Sequence, residues 1–486
     1  MIIISILLVL FLFSFIIFTH ELGHFLAARW RGLYVDRFQI GFGKPFWKKT
    51  VDGVQYGLAP IPFGGFVSLP QMASMETIEG SVDGVSKEKL PEISPIDKII
   101  VAFAGPLFSF FTAVLFAVIV FFCGKPDALY KETRIGYVQE GSPAAKAGLQ
   151  AGDNILEIDD TVVEGFFGSL NSVRELIVLG VEKQTKFLVQ RGDKQLTLFA
   201  DATFEEKAWY QRSGVRQVGV APAQPLVIAT VNQNNSPAQL AGLKAGDEIV
   251  SIDGEAIYNF SLFTNKLNTH YQQQLDAKDK VPLSLGYKRG EQILSTTIAA
   301  QKPIYPEAIE TPMVGITWEN YITRGLVYPG ITEQLKNGFL MIFKSMQVIS
   351  NKNNHMSVQH FSGPVGIVGD LASILQSPDG WRFILSFMVV INVNLMIFNL
   401  LPLPVLDGGH IILAFLQIIR RKPVSAKVLE PIQSFCALLL IGFMLFITTK
   451  DVGDNVNGWI EGLKNVEPKE RAEPIKAENI KFPAPE

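Results

Sequence analysis

Residues 2–24 read IIISILLVLFLFSFIIFTHELGH, and this stretch decides the fold. Residues 2–18 carry no charged side chain. About 20 such residues are what a helix needs to cross a bilayer. Yet the run ends on His20, Glu21 and His24. On a helix the two histidines are i and i+4, so both imidazoles project from one face and can grip one metal ion. Glu21, beside the first ligand, is placed to act as general base on a metal-bound water. In a soluble helix the same pattern would more often be chance. At membrane depth ionisable groups are costly and point to function.

Working outward, the chain of 486 residues allows about three domains by length alone. A net charge of −3 gives no reason to propose nucleic acid as partner. Cys123 and Cys436 both lie in apolar segments and form no disulfide framework. Four segments are long enough to span: about 2–20, its helix running on toward Trp30, then 99–122, 383–403 and 429–447. The first lacks a basic leader and a small-residue cleavage site, so it is expected to be retained. Basic residues crowd the stretch between spans one and two (Arg29, Arg31, Arg37, Lys44, Lys48, Lys49) and the loop between spans three and four (Arg420, Arg421, Lys422, Lys427). Both short loops therefore belong on the cytoplasmic side. The termini and the long 124–380 segment belong on the other. The tail from about 465 is charged, Pro-rich and expected to be disordered.

That long segment contains a repeat. Residues 142–163 (SPAAKAGLQAGDNILEIDDTVV) align without a gap on 236–257 (SPAQLAGLKAGDEIVSIDGEAI). In each copy Ser-Pro opens a short helix, with Ser142 or Ser236 as cap and Pro at the first helical position. Ala-Gly-Asp then turns into an apolar strand.

A catalytic zinc takes three protein ligands and an open position. His20 and His24 supply two. Around the end of span three the chain reads Asn399-Leu-Leu-Pro402-Leu-Pro404-Val-Leu-Asp407-Gly408-Gly409-His410. Asp407 is a carboxylate this span can bring to membrane depth, and the prolines break the helix where backbone lines a cavity. His410 is a rival ligand or a loop histidine. Asn399 either joins the site or makes a helix–helix hydrogen bond.

These paired motifs resemble the site-2 protease family of intramembrane zinc proteases, and the repeat resembles tandem PDZ domains of the bacterial protease type. The resemblance runs from residue 1 to about 450. It implies one zinc ion per chain on His20, His24 and Asp407, with Glu21 as the catalytic acid/base. It places Asn399 near substrate, together with Gly41, Gly43, Gly64 and Gly65 in a membrane-associated β region after span one. Ser109 stands where the family pattern suggests Asn. The implied substrates are single-span membrane proteins of anti-sigma-factor type, or remnant signal peptides, cut within or near the bilayer after trimming outside it. The implied location is the bacterial inner membrane.

Cleaving a helix requires an extended backbone, and strand addition to a sheet edge can hold one. Pro60 and Pro62 fit an edge strand or bend. The PDZ pair could bind peptides in the same way or act as a size filter. Residues 331–350 are amphipathic, suited to the membrane surface or to packing against the pair. Two other classes remain open: a PDZ scaffold with a degenerate core, which the intact Glu21 argues against, and a metal transporter, which leaves the repeat unexplained.

The expected architecture is thus a polytopic α-helical membrane protein with four transmembrane helices, a β region and two extracytoplasmic α+β PDZ domains. Its divisions are 1–124 (spans one and two), 125–220 and 221–305 (the two PDZ domains), 306–380 (linker and amphipathic helix), 381–450 (spans three and four) and 451–486 (tail).

Overall fold

The computed structural model describes residues 2–72, 90–91, 93–128, 131–204, 215–275, 282–302, 313–319, 324–351, 362–377, 379–422 and 424–464. Among them, four helices are long and apolar enough to cross a membrane. They are α1 (Ile2–Trp30), α2 (Pro95–Cys123), and two later helices reached after the middle of the chain. Three further helices complete the membrane part: α3 (Ile331–Ser350), α4 (Pro364–Ile374) and, after the third span α5 (Gly380–Asn399), α6 (Asp407–Arg420). The fourth span lies in α7 (Ala426–Lys464).

Small residues let α1 and α2 approach closely. A Cβ on Gly23 would lie 2.5 Å from the Ala104 carbonyl oxygen of α2. Val9 and Ile16 of α1, Phe116 and Ala117 of α2, Leu371 of α4, and Met388 and Val389 of α5 share one buried core. Phe11, Phe111, Leu115, Phe122, Leu438 and Leu445 are exposed, as side chains facing lipid are.

Four strands follow α1: β1 (Arg37–Phe42), β2 (Trp47–Val51), β3 (Val54–Leu58) and β4 (Ile61–Ser68). Their order is β2-β3-β1-β4, which leaves β4 at an edge. The prolines flanking and starting β4 suit that position. Ile40 faces Gly65 but Phe42 faces Ile61, so β4 carries extra residues and bulges around Gly64, whose φ is +147°. Phe38, Val54 and Val67 pack with Ala27 and Ala28 of α1 and Val101 of α2, which seats the sheet beside the two helices.

The repeat folds as two similar α/β units. In each, Ser142 or Ser236 caps a short helix by accepting from the amide of Ala145 or Gln239. Asp153 and Asp247, each with a side chain 1% exposed, receive the two-pronged guanidinium of Arg191 or Arg289. The same arginines reach the Gly148 and Gly242 carbonyls that end the short helices. Each unit closes with a strand that pairs back to its first one: Val220–Pro222 on Ile135–Val138, and Ile316–Trp318 on Leu226–Val231. This corrects two expected boundaries. The first unit runs past 220, and the second runs past 305 into the supposed linker, because the closing strand completes the sheet.

Two helix ends also differ from expectation. The third span stops at Asn399 rather than 403, since Pro402 and Pro404 offer no amide and the chain turns at Leu400–Leu403. The fourth helix continues to Lys464, past both the apolar segment and the expected start of the tail at 451. The tail from 465 lies outside the described residues. Helix α3 packs against two spanning helices and against the first unit. Gln334 donates to the Ala117 carbonyl of α2, Gly338 sits against Val393 of α5, and Lys344 donates to the Leu170 carbonyl of the first unit.

Candidate metal centre

Helix α1 places His20 and His24 one turn apart, and both are buried. The first turn of α6 brings Asp407 to them. His24 Nε2 lies 3.2 Å from His20 Nε2, and the Asp407 oxygens lie 3.3 Å from each nitrogen. A second layer orients the rings. His24 Nδ1 donates to the Val101 carbonyl at 2.8 Å; a carbonyl only accepts, so the proton sits on Nδ1 and the Nε2 lone pair turns inward. His20 Nδ1 pairs with Ser109 Oγ at 2.9 Å.

This donor set fits zinc. With bonds of about 2.0–2.1 Å, tetrahedral ligand atoms stand about 3.3 Å apart, close to the separations found here. Asp407 Oδ2 is buried and has no hydrogen-bond partner. Two imidazole lone pairs and a carboxylate packed together are mutually repulsive unless a cation is shared among them. There is also no room for a bulkier neighbour, since a Cβ on Gly105 of α2 would come within 2.1 Å of His24 Nε2. Among the described residues these three form the only such His/Cys/Asp/Glu cluster.

The cluster opens into a cavity of about 360 Å³ lined by Glu21, Phe42, Gly64, Gly65, Phe66 and Asn399 among others. Asn399 Nδ2 stands 3.5 Å from His20 Nε2. Residues 64–67 of β4 border the same cavity, and Gly65 backs onto Glu21: a Cβ there would lie 3.3 Å from Glu21 Cγ. A larger cleft of about 1040 Å³, between the first α/β unit and the end of α3, contains no part of the cluster.

The structure brings His20, Glu21, His24, Asp407, Asn399, Gly64 and Gly65 together around one cavity. His410 borders the cavity but lies outside the ligand cluster. Gly41 and Gly43 do not line the cavity. Gly41, at φ +86°, lets β1 press on the Ala59 carbonyl, and both glycine carbonyls accept from Gln39. They shape the sheet and do not face the site. The sequence left the role of Ser109 open; it is fully buried and pairs with His20. Its position between apolar neighbours on α2 was the available signal. The Val101 carbonyl and the Gly105 contact carry no signature in a single sequence.

Two buried histidines on a membrane helix, a distant aspartate and an adjacent glutamate define a metalloprotease set among spanning helices. The model of peptidase family M50 matches residues 8–443, and this chain belongs to that family. It is similar to the regulator of sigma-E protease RseP of Escherichia coli, 28% identical over 89% of this chain and 95% of that protein. Protease RseP of Yersinia pestis matches at the same identity and coverage. Among solved structures, the PDZ domain of an SdrC-like protein from Listeria monocytogenes is 25% identical and covers 21% of this chain and 93% of its own. Its TM-score of 0.16 is too low to carry a domain assignment.

Proposed function

We propose that this chain is an intramembrane zinc protease that cuts a peptide bond within or near the transmembrane segment of single-span membrane proteins. The observation that carries the reading is the buried His20–His24–Asp407 cluster beside Glu21, in a cavity bordered by the open edge of β4 and set among spanning helices.

His20, His24 and Asp407 would hold one zinc ion per chain, which supplies Lewis acidity to water and to the scissile carbonyl. Glu21 takes the proton of the attacking water and returns it to the leaving amine. Ser109 and the Val101 carbonyl keep the imidazoles turned toward the metal. The edge of β4 pairs with an unwound substrate segment, and Gly64 and Gly65 let that backbone lie flat against it. Asn399 faces the substrate across the cavity.

Basic short loops put the site toward the cytoplasmic side of the bacterial inner membrane, with both termini and both α/β units outside. We read those units as PDZ domains, on their repeated cap, fork and closing strand. They would bind peptide or exclude untrimmed substrates by size. Substrates of anti-sigma-factor type fit this arrangement, as do remnant signal peptides, and both would arrive after extracytoplasmic trimming.

The test is co-expression with a panel of single-span proteins carrying shortened extracytoplasmic domains. Wild type should cut at least one member, and Glu21→Gln should retain zinc but lose about 10²–10⁴-fold in rate. Undiminished cleavage by the mutant would sink the mechanism.

A further inference from the structure

Backbone that leaves a helix at membrane depth must find hydrogen-bond partners inside the protein. The loop between α5 and α6 does so unevenly. Leu403 donates to the Leu401 carbonyl and Leu406 to the Leu403 carbonyl. The Pro404 carbonyl is met from outside the loop, by Gln433 Nε2 of α7 at 3.1 Å. Gln433 is 5% exposed on a helix whose Phe435 and Leu438 are 66% and 70% exposed. With Leu429 and Ala437, one turn to either side, it forms a narrow buried stripe.

The loop is pressed hard against the first turn of α6. A Cβ on Gly408 would lie 2.3 Å from the Leu400 carbonyl oxygen, and one on Gly409 would lie 2.1 Å from that of Leu403. A shift of Pro404 therefore has little slack to absorb it before Asp407, three residues on. Asp407 Oδ2 has no hydrogen-bond partner of its own, so backbone placement is left to aim it.

We infer that Gln433 is a positioning residue for the third metal ligand. Its amide fixes the Pro404 carbonyl, and through the 400–406 loop it fixes the Asp407 carboxylate. The inference rests on the reading of Asp407 as a zinc ligand. Partners that orient metal ligands from behind are typically worth about 10–100-fold in metal affinity or activity.

The experiment uses the full chain purified in detergent, with zinc per chain measured by mass spectrometry and zinc release followed in excess EDTA. Gln433→Met keeps the length and removes the donor; zinc release should quicken about 10–100-fold. Leu429→Ala loosens the same stripe without touching the donor, and release should stay at the wild-type rate. Gln433→Asn, which withdraws the amide by one methylene, is read the same way as Gln433→Met if that variant does not survive purification. Wild-type release from the donor variant, or equal acceleration in Leu429→Ala, overturns the inference. Wild type without zinc, or Asp407→Ala retaining it, refutes the metal reading itself, and the role of Gln433 falls with it.

Discussion

Replacing Gly105 by alanine pits two physical expectations against each other. Gly105 lies inside a membrane-spanning helix, where Ala is favoured over Gly by about 0.8–1 kcal/mol, so on helix propensity alone the change stabilises. The added methyl carbon, however, would lie 2.1 Å from His24 Nε2, 2.5 Å from Cε1 and 2.8 Å from Cδ2. The ring must retreat about 1.3 Å before ordinary contact at 3.4 Å is restored. It cannot do so freely, because Nδ1 is tied to the Val101 carbonyl and the ring is buried. Metal sites tolerate ligand errors of about 0.2 Å, and misplacing a reacting group by about 1 Å costs about 10²-fold. Gly105→Ala should therefore keep its fold and thermal stability while losing zinc and at least about 100-fold in cleavage. Gly442 in the fourth span supplies the control: a Cβ there meets nothing within 4 Å, so Gly442→Ala should leave zinc and cleavage unchanged. Zinc per chain and cleavage of a reporter substrate are measured on both variants. Wild-type zinc and rate in Gly105→Ala would refute the geometry of the cluster.

Ser109→Ala removes the partner of His20 Nδ1 and should weaken zinc retention about 10–100-fold, read by competition with a chromogenic chelator. Arg289→Met leaves the Asp247 carboxylate buried and unpaired. It should destabilise the second α/β unit, read as faster hydrogen exchange in strand Glu248–Ile252 of the full chain. Burial pushes the Asp247 carboxyl up, but the Arg289 fork and the Lys244 amide outweigh it and hold the group below its ordinary value. The native state then prefers the charged form, so the unit's protection should be level above about pH 4 and decline as pH falls through the depressed folded value.

The spans, the histidine pair and the repeat each leave a local pattern: an unbroken apolar run, i/i+4 spacing, an ungapped alignment. Asp407 was readable because a carboxylate, two prolines and two glycines cluster at the end of one span. The closing strands of the two units were harder to read. Val218-Gly219-Val220 and Val314-Gly315-Ile316 echo one another, but each strand is only three residues long and follows a stretch outside the repeat. The support from Ser109 and the contact at Gly105 depend on how α1 crosses α2, which no spacing within either helix encodes. Gly41 and Gly43 could not be told from Gly64 and Gly65 in sequence for a related reason. A glycine that a ligand backbone needs and one that a strand needs for positive φ look alike in sequence.

The separation of the ligands along the chain also fixes when the site can exist. His20 and His24 emerge about 390 residues before Asp407, and both α/β units lie between them. At about 5–20 residues per second, ribosomes leave the two histidines without their carboxylate for tens of seconds. A chain interrupted anywhere between His24 and α6 carries the HELGH signature yet lacks Asp407. On the proposed ligand set, peptide-cutting capacity is therefore withheld from nascent and truncated chains by topology alone.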